Sequence, residues 1–215
     1  MVDTKAIFFW TSGIFTPSIP TIINGAVEKA SGKKINILAL PDFPRLTEQL
    51  TLGHLDELAF YEKLCDIAHI DINPEAIREK IFEQIHSPTQ VIEVIDLLPI
   101  KFEPWLVVDI PLSWYERVCK ISEIRAVFST DHIIDLPESG LTRLIPDSFY
   151  FLTLKAHIPL ERGLLIDASA KNCVQALNHG LQAAIYVDPR RLEREFIMRY
   201  FLEKPQPIHR PSHSL

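Results

Sequence analysis

Ala6-Ile7-Phe8-Phe9-Trp10-Thr11-Ser12-Gly13 is the stretch on which the fold turns. Five apolar residues in succession, then two hydroxyl residues and a glycine, read as a buried strand that ends in a tight turn. Upstream, Met1-Val2-Asp3-Thr4-Lys5 leads straight into this run and lacks the layout of a signal peptide. Downstream, the period changes.

From about residue 17 to 95 the pattern is helical. His54 to Ala68 places Leu58, Tyr61, Cys65 and Ala68 on one stripe at three- and four-residue steps. Asn73-Pro74-Glu75 is a helix start: a capping side chain, proline at the first position, an acid in the first turn. Ile77, Ile81 and Ile85 line one face of that helix, and Ser87-Pro88 repeats the start signal for a helix reaching about Leu97. After Pro104 strands and helices alternate. The expected strands are Trp105-Leu106-Val107-Val108, Ile124 to Phe128, a short Ile133-Ile134, Gly163 to Ile166, and Ala183 to Tyr186. The expected helices are Ser113 to Cys119, Asp147 to Ala156, Lys171 to His179, and Leu192 to Tyr200.

This alternation implies an α/β fold, a doubly wound (Rossmann-like) parallel sheet covered by helices on both faces, with an all-helical insertion. The expected division is a core of residues 1–16 and 98–203, a helical cap of residues 17–97, and a flexible tail of residues 204–215, which holds three prolines and little to bury. In such sheets the site lies at the carboxyl ends of the strands, so the residues after Phe9, Val108 and Ile166 are the candidates.

Bulk properties narrow the partners. With 47% hydrophobic and 23% charged residues the chain is ordinary globular material, and a net charge of −6 gives no footprint for a nucleic acid. No apolar run is long enough to span a bilayer. Cys65, Cys119 and Cys173 lie far apart with no metal-type spacing, which fits buried thiols in a reducing, cytoplasmic setting.

Three of the strand ends resemble the haloacid dehalogenase-like (HAD) family in order and spacing. Ile7-Phe8-Phe9-Trp10-Thr11-Ser12-Gly13-Ile14-Phe15 is similar to the family's opening, an apolar strand running into Asp-x-Asp-Gly, and the helical insertion follows where one of the family's cap types sits. Phe128-Ser129 through Ser139-Gly140-Leu141-Thr142-Arg143 resembles the stretch that delivers the third-motif Lys. Leu164-Leu165-Ile166-Asp167-Ala168-Ser169-Ala170-Lys171-Asn172 resembles the fourth motif, and Ala176 to Ala183 the helix-Gly-strand passage after it. The resemblance covers about residues 5–195.

The resemblance implies roles that these residues do not match. Trp10 stands where the family places its aspartate nucleophile, and an indole has neither charge nor a usable lone pair. Ser12 stands for the acid/base aspartate; its hydroxyl does not shuttle protons near neutral pH as a carboxyl does. Asp109 ends the second strand where a phosphate-binding Ser or Thr is expected, and an acid there repels a phosphate. Arg143, followed by Leu144, takes the place of the Lys-Pro pair and keeps its charge, so Arg143 and Ser12 are the anion-binding candidates, unless Arg143 simply pairs with Asp109 or Asp167. Asp167 keeps one fourth-motif acid while Ala168 replaces the other. Asp167 is then the single candidate metal ligand, a poor magnesium site, and no cofactor is expected. Asn172 is expected to cap or brace the next helix.

The expected function is therefore that of a non-catalytic pseudoenzyme that binds an unidentified small molecule or a protein; a structural subunit that dimerises through its helical cap, with itself or with an active relative, is a separate alternative. The pseudoenzyme is expected to fill its strand-end pocket with the Trp10 ring. The other alternative is a hydrolase of phosphatase or dehalogenase type that uses rearranged residues, with Asp109 or Asp167 as base or nucleophile and Arg143 as anion anchor. Other groupings read as structural: Ser129-Thr130-Asp131-His132 as a loop, Arg190, Arg191 and Arg194 as a solvated helix face, Asp56-Glu57 as first-turn acids favoured by the helix dipole.

Overall fold

The strand at the head of the chain, β1 (Ala6–Trp10), is buried along its whole length and forms the centre of a five-stranded sheet. The structure is a computed structural model that describes residues 4–143 and 145–199. The expectations for Leu144, for Tyr200 as a helix end and for the tail 204–215 lie outside the described residues.

Five helices separate β1 from the next strand: α1 (Ile19–Ser31), α2 (Phe43–Thr51), α3 (Glu57–Ala68), α4 (Pro74–Gln84) and α5 (Thr89–Asp96). Strands and helices then alternate: β2 (Glu103–Val108), α6 (Leu112–Ile121), α7 (Ile124–Val127), β3 (Ile133–Asp135), α8 (Asp147–Lys155), β4 (Gly163–Asp167), α9 (Ala170–Asn178), β5 (Gln182–Ile185) and α10 (Pro189–Met198). The sheet order is β3-β2-β1-β4-β5 and every pairing is parallel. This is the expected doubly wound α/β sheet with a helical insertion.

Successive residues of a strand face opposite sides of a sheet. Ile7 and Phe9 accordingly join Leu106, Val108, Leu164 and Ile166 in one buried cluster that continues into α1, α3, α4 and α5. Ala6, Phe8 and Trp10 join Val107, Leu165, Phe149 and Ala176 in a second cluster beneath α8 and α9. Within the insertion α1 packs on α4, and α3 on α2 and α4, whereas α5 packs on α7 and α10. Among the described residues no helix is long and apolar enough to cross a membrane.

Several local expectations hold for the stated reason. Asn73 caps α4, accepting the Glu75 N–H at 3.0 Å. Of the acids expected in the first turn of α3 only Glu57 lies there, and Asp56 is the cap, accepting from Leu58 at 2.9 Å and Ala59 at 3.3 Å. Others are corrected. Ile124 to Phe128 is not a strand: Ile124 and Phe128, four residues apart, are both buried while Arg125 and Ala126 are exposed, which is helical spacing, and Ile133–Asp135 supplies the edge strand instead. The buried stripe of α3 is Phe60, Tyr61, Leu64 and Cys65, with Leu58 turned outward. Ser87 does not cap α5; its hydroxyl pairs with that of Thr89 at 3.0 Å. The last helix begins earlier than expected because Asp188 caps it, accepting from Arg191 N at 2.9 Å, ahead of Pro189. Pro104 lies inside β2 rather than before it. Its missing N–H is tolerated because β3 pairs only from Leu106 onward, so β2 is an edge strand at that level.

Candidate functional site

The carboxyl ends of β1, β2 and β4 deliver Thr11-Ser12-Gly13, Asp109 and Asp167 to one place, and the segment before α8 adds Thr142 and Arg143. The turn after β1 is pinned first. Thr11 N–H and Thr11 Oγ1 both donate to Val107 O, at 2.9 and 2.8 Å, and Gly13 N–H donates to Thr16 O at 2.8 Å. Gly13 has φ +93°, and a Cβ there would come within 2.8 Å of Ala168 Cβ, so only glycine fits. Ala168 is thus a packing contact that closes this turn against the end of β4.

Asp109 is completely buried, and its Oδ1 accepts the Ser12 N–H at 2.8 Å. Its Oδ2 faces Arg143 Nε at 3.4 Å without a well-aligned hydrogen bond. Asp167, also fully buried, is more completely satisfied. Its Oδ1 accepts from Arg143 Nη2 at 2.6 Å and from Ser169 N at 2.7 Å, and its Oδ2 from Asn172 Nδ2 at 2.9 Å. Arg143 Nη1 donates to Ser12 O at 3.4 Å, and the guanidinium carbon stands 5.4 Å from the centre of the Trp10 ring. One guanidinium therefore serves two buried carboxylates.

The electrostatics follow from that sharing. Burial raises the Asp109 pKa, and Arg143, half-engaged elsewhere, only partly offsets it. Burial works against the Arg143 charge as well, but the Asp109 and Asp167 carboxylates outweigh it, so its pKa is raised. The nearby Cys173 thiol is pushed up to about 11 by burial, which leaves it protonated and a poor nucleophile.

A cleft of about 450 Å³ opens above this cluster, within the range of small-molecule sites. Ser12, Asp109, Thr142 and Arg143 line its polar end. Ile19, Pro20, Leu38, Phe43 and Pro44, from α1, α2 and the segment between them, make its apolar walls.

The sequence-derived candidates are thus partly assembled. Ser12, Asp109, Arg143 and Asp167 meet. Trp10 does not line the cleft, contrary to the expectation that its ring fills it; as the even-numbered neighbour of Phe9 on β1 it points to the opposite face of the sheet, into the cluster under α8 and α9. The Ser12 hydroxyl accepts from Ile19 N at 3.3 Å and so helps to start α1. Asn172 braces the Asp167 carboxylate, and the cap of α9 is Ser169, whose hydroxyl accepts Asn172 N at 3.3 Å. His132 stacks on Trp105 at 4.5 Å, consistent with a structural loop, and Arg190, Arg191 and Arg194 are exposed. Cys65, Cys119 and Cys173 are free thiols.

Glu57 is the residue that reading by helix dipole alone missed. Its carboxylate, largely buried, accepts from Tyr61 Oη at 2.6 Å, Ser113 Oγ at 2.8 Å and Trp114 Nε1 at 3.0 Å, tying α3 to α6, with Arg78 Nε 3.9 Å away. The four-residue step from Glu57 to Tyr61 was the available signal. Burial, then the charge of Glu57, raises the Tyr61 pKa, so the phenol stays a donor.

No protein-family model matches the sequence, and no curated protein matches it. Solved structures do. The chain is similar to an HAD family enzyme from Bacteroides thetaiotaomicron, with TM-score 0.72 and 14% identity over 90% of this chain and 98% of that one. It is similar to a predicted HAD-like family hydrolase from Porphyromonas gingivalis, with TM-score 0.68 and 15% identity over 94% and 100%. It is also similar to L-2-haloacid dehalogenase from Xanthobacter autotrophicus, solved with chloropropionic acid covalently bound, with TM-score 0.60 and 12% identity over 92% and 84%. The Bacteroides enzyme has also been solved in complex with magnesium and inorganic phosphate. At these identities the likeness is one of fold.

Proposed function

We propose that this chain, whose fold is that of the haloacid dehalogenase-like proteins, is a non-hydrolytic member of that architecture that binds a small molecule in the cleft under its helices. The observation that carries the reading is the Asp109–Arg143–Asp167 cluster. Hydrolysis on this fold needs a free carboxylate nucleophile and a place for the group under attack. Position 10 offers an indole turned to the other side of the sheet. Of the two carboxylates that do reach the site, Asp109 is held by Ser12 N–H and Arg143, and Asp167 by Arg143, Ser169 and Asn172.

The same donor set does not fit magnesium. The ion wants carboxylate oxygens free to complete an octahedron with water and phosphate. Here both oxygens of Asp167 and one of Asp109 already accept hydrogen bonds, and the guanidinium occupies the cation's electrostatic role between them. Of the two anion-binding candidates, Arg143 is engaged by the carboxylates, and Ser12 Oγ accepts from Ile19 N–H, a bond that starts α1.

The test is turnover of p-nitrophenyl phosphate and 2-chloropropionate by the purified chain, with and without magnesium or manganese. No rate above a protein-free blank is expected. A second reading, a hydrolase with rearranged residues, is favoured by one observation: Asp109 lines the cleft with a raised pKa, as an acid catalyst would. Turnover that disappears in Asp109→Asn would establish it in place of the first.

A further inference from the structure

Resting on the reading of the cleft as a binding site, we infer the class of its ligand: a mostly aliphatic molecule with a hydrogen-bond donor at one end and no negative charge. Three observations converge. First, the cleft wall is apolar along Ile19, Leu38 and Phe43, so most of the occupant must be hydrocarbon for burial to be favourable. Second, the charges at or directly behind its lining are the carboxylates of Asp109, Asp167 and Glu48 against the single guanidinium of Arg143. That guanidinium already faces two of the three. An entering carboxylate or phosphate would lose its water, meet no spare cation and be repelled by Asp109.

Third, the polar end has unmet hydrogen-bonding capacity. Asp109 Oδ2, Thr142 Oγ1 and Arg143 Nε are buried and have no hydrogen-bond partner, the Nε facing that same Oδ2 as its counter-charge at 3.4 Å. All three residues line the cleft. Buried polar atoms without partners are uncommon, and a donor head seated at this end gives the two oxygens one. A hydroxyl or an ammonium group can donate to Asp109 Oδ2, and a carboxylate or ionised phosphate cannot; Thr142 Oγ1 can accept from the same head or donate to a hydroxyl. The cleft thereby selects against the anions that the magnesium- and phosphate-bound relative holds.

Calorimetric titration of the full chain with hexan-1-ol, hexylamine, hexanoate and hexyl phosphate tests this. The alcohol and the amine are expected to bind saturably, and the two anions at least about tenfold more weakly, the discrimination expected from one unfavourable charge contact. Thr142→Val, which removes a hydroxyl that makes no hydrogen bond in the fold, is expected to weaken hexan-1-ol several-fold, and Thr47→Trp, which puts an indole at a lining position on α2, to abolish its binding. Hexanoate or hexyl phosphate binding as tightly as the alcohol overturns the inference and leaves the binding-site reading in place. Failure of all four probes, or binding indifferent to Thr47→Trp, overturns the binding-site reading as well.

Discussion

Arg143 Nη2 and Asp167 Oδ1 meet at 2.6 Å behind the cleft, and the same guanidinium turns its Nε toward Asp109 Oδ2 at 3.4 Å. The contact joins the segment before α8 to the ends of β2 and β4, so the polar end of the sheet is held shut by the protein's own charges. Both carboxylates are essentially inaccessible, which makes the guanidinium a structural counter-ion. Removing one partner of a buried ion pair leaves an uncompensated charge, with a cost of about 3–5 kcal/mol. Arg143→Met is accordingly expected to lower the urea unfolding free energy by that order, and Arg143→Lys by less. A change below about 1 kcal/mol in Arg143→Met would mean that solvent already screens the cluster.

Asp109 gives the cluster a pH signature. Its folded pKa is raised above the 3.8 of an ordinary aspartate. Its contribution to stability is therefore complete while both states are protonated, below that value, and is lost as pH rises through the folded pKa, where the buried group is forced to ionise. Urea melts of the wild type and Asp109→Asn from about pH 4 to about pH 8 should show the wild-type advantage shrinking as pH rises, then levelling off. An advantage that grows with pH would mean that Arg143 dominates and the Asp109 pKa is depressed.

Glu57 is expected to be the main polar tie between α3 and α6. Glu57→Ala strands Tyr61 Oη, Ser113 Oγ and Trp114 Nε1, and the loss of charged hydrogen bonds with buried donors left over should cost about 2–4 kcal/mol. Glu57→Gln keeps an acceptor and should lose clearly less. Equal losses in the two variants would show that charge, through Arg78, matters more than the hydrogen bonds.

Much of this geometry was legible in the sequence because the strands carry it. An unbroken apolar run such as Ala6–Trp10 or Gly163–Ile166 has few readings other than a doubly covered strand, and the residues just past those runs had to arrive at one edge of the sheet. The pairing of Arg143 with Asp109 or Asp167 was one of two open choices, and the guanidinium takes both carboxylates. What periodicity could not supply was direction. Trp10 ends its strand on the face away from the cleft, a matter of register that a five-residue run with no polar member conceals. Ile124 to Phe128 reads equally well at a step of two or of four, and packing decided for four. Glu57 looked like a first-turn acid because its partners Ser113 and Trp114 lie more than fifty residues away.

Gly13 should tolerate no side chain. A methyl group there needs both a left-handed backbone, φ +93°, and room that Ala168 Cβ occupies at 2.8 Å. Gly13→Ala is expected to lower stability by about 1–3 kcal/mol, measured by thermal or urea unfolding. A neutral effect would place the turn in a different conformation and reopen the arrangement of Ser12 against Asp109.

If Arg143 serves as the counter-ion of both Asp109 and Asp167, a metal–phosphate pair has no seat between them. Calorimetric titration of magnesium together with inorganic phosphate into the unmodified chain addresses it without requiring any substrate. No saturable heat is expected at neutral pH. Saturable, magnesium-dependent phosphate binding that is lost in Asp167→Asn would contradict it.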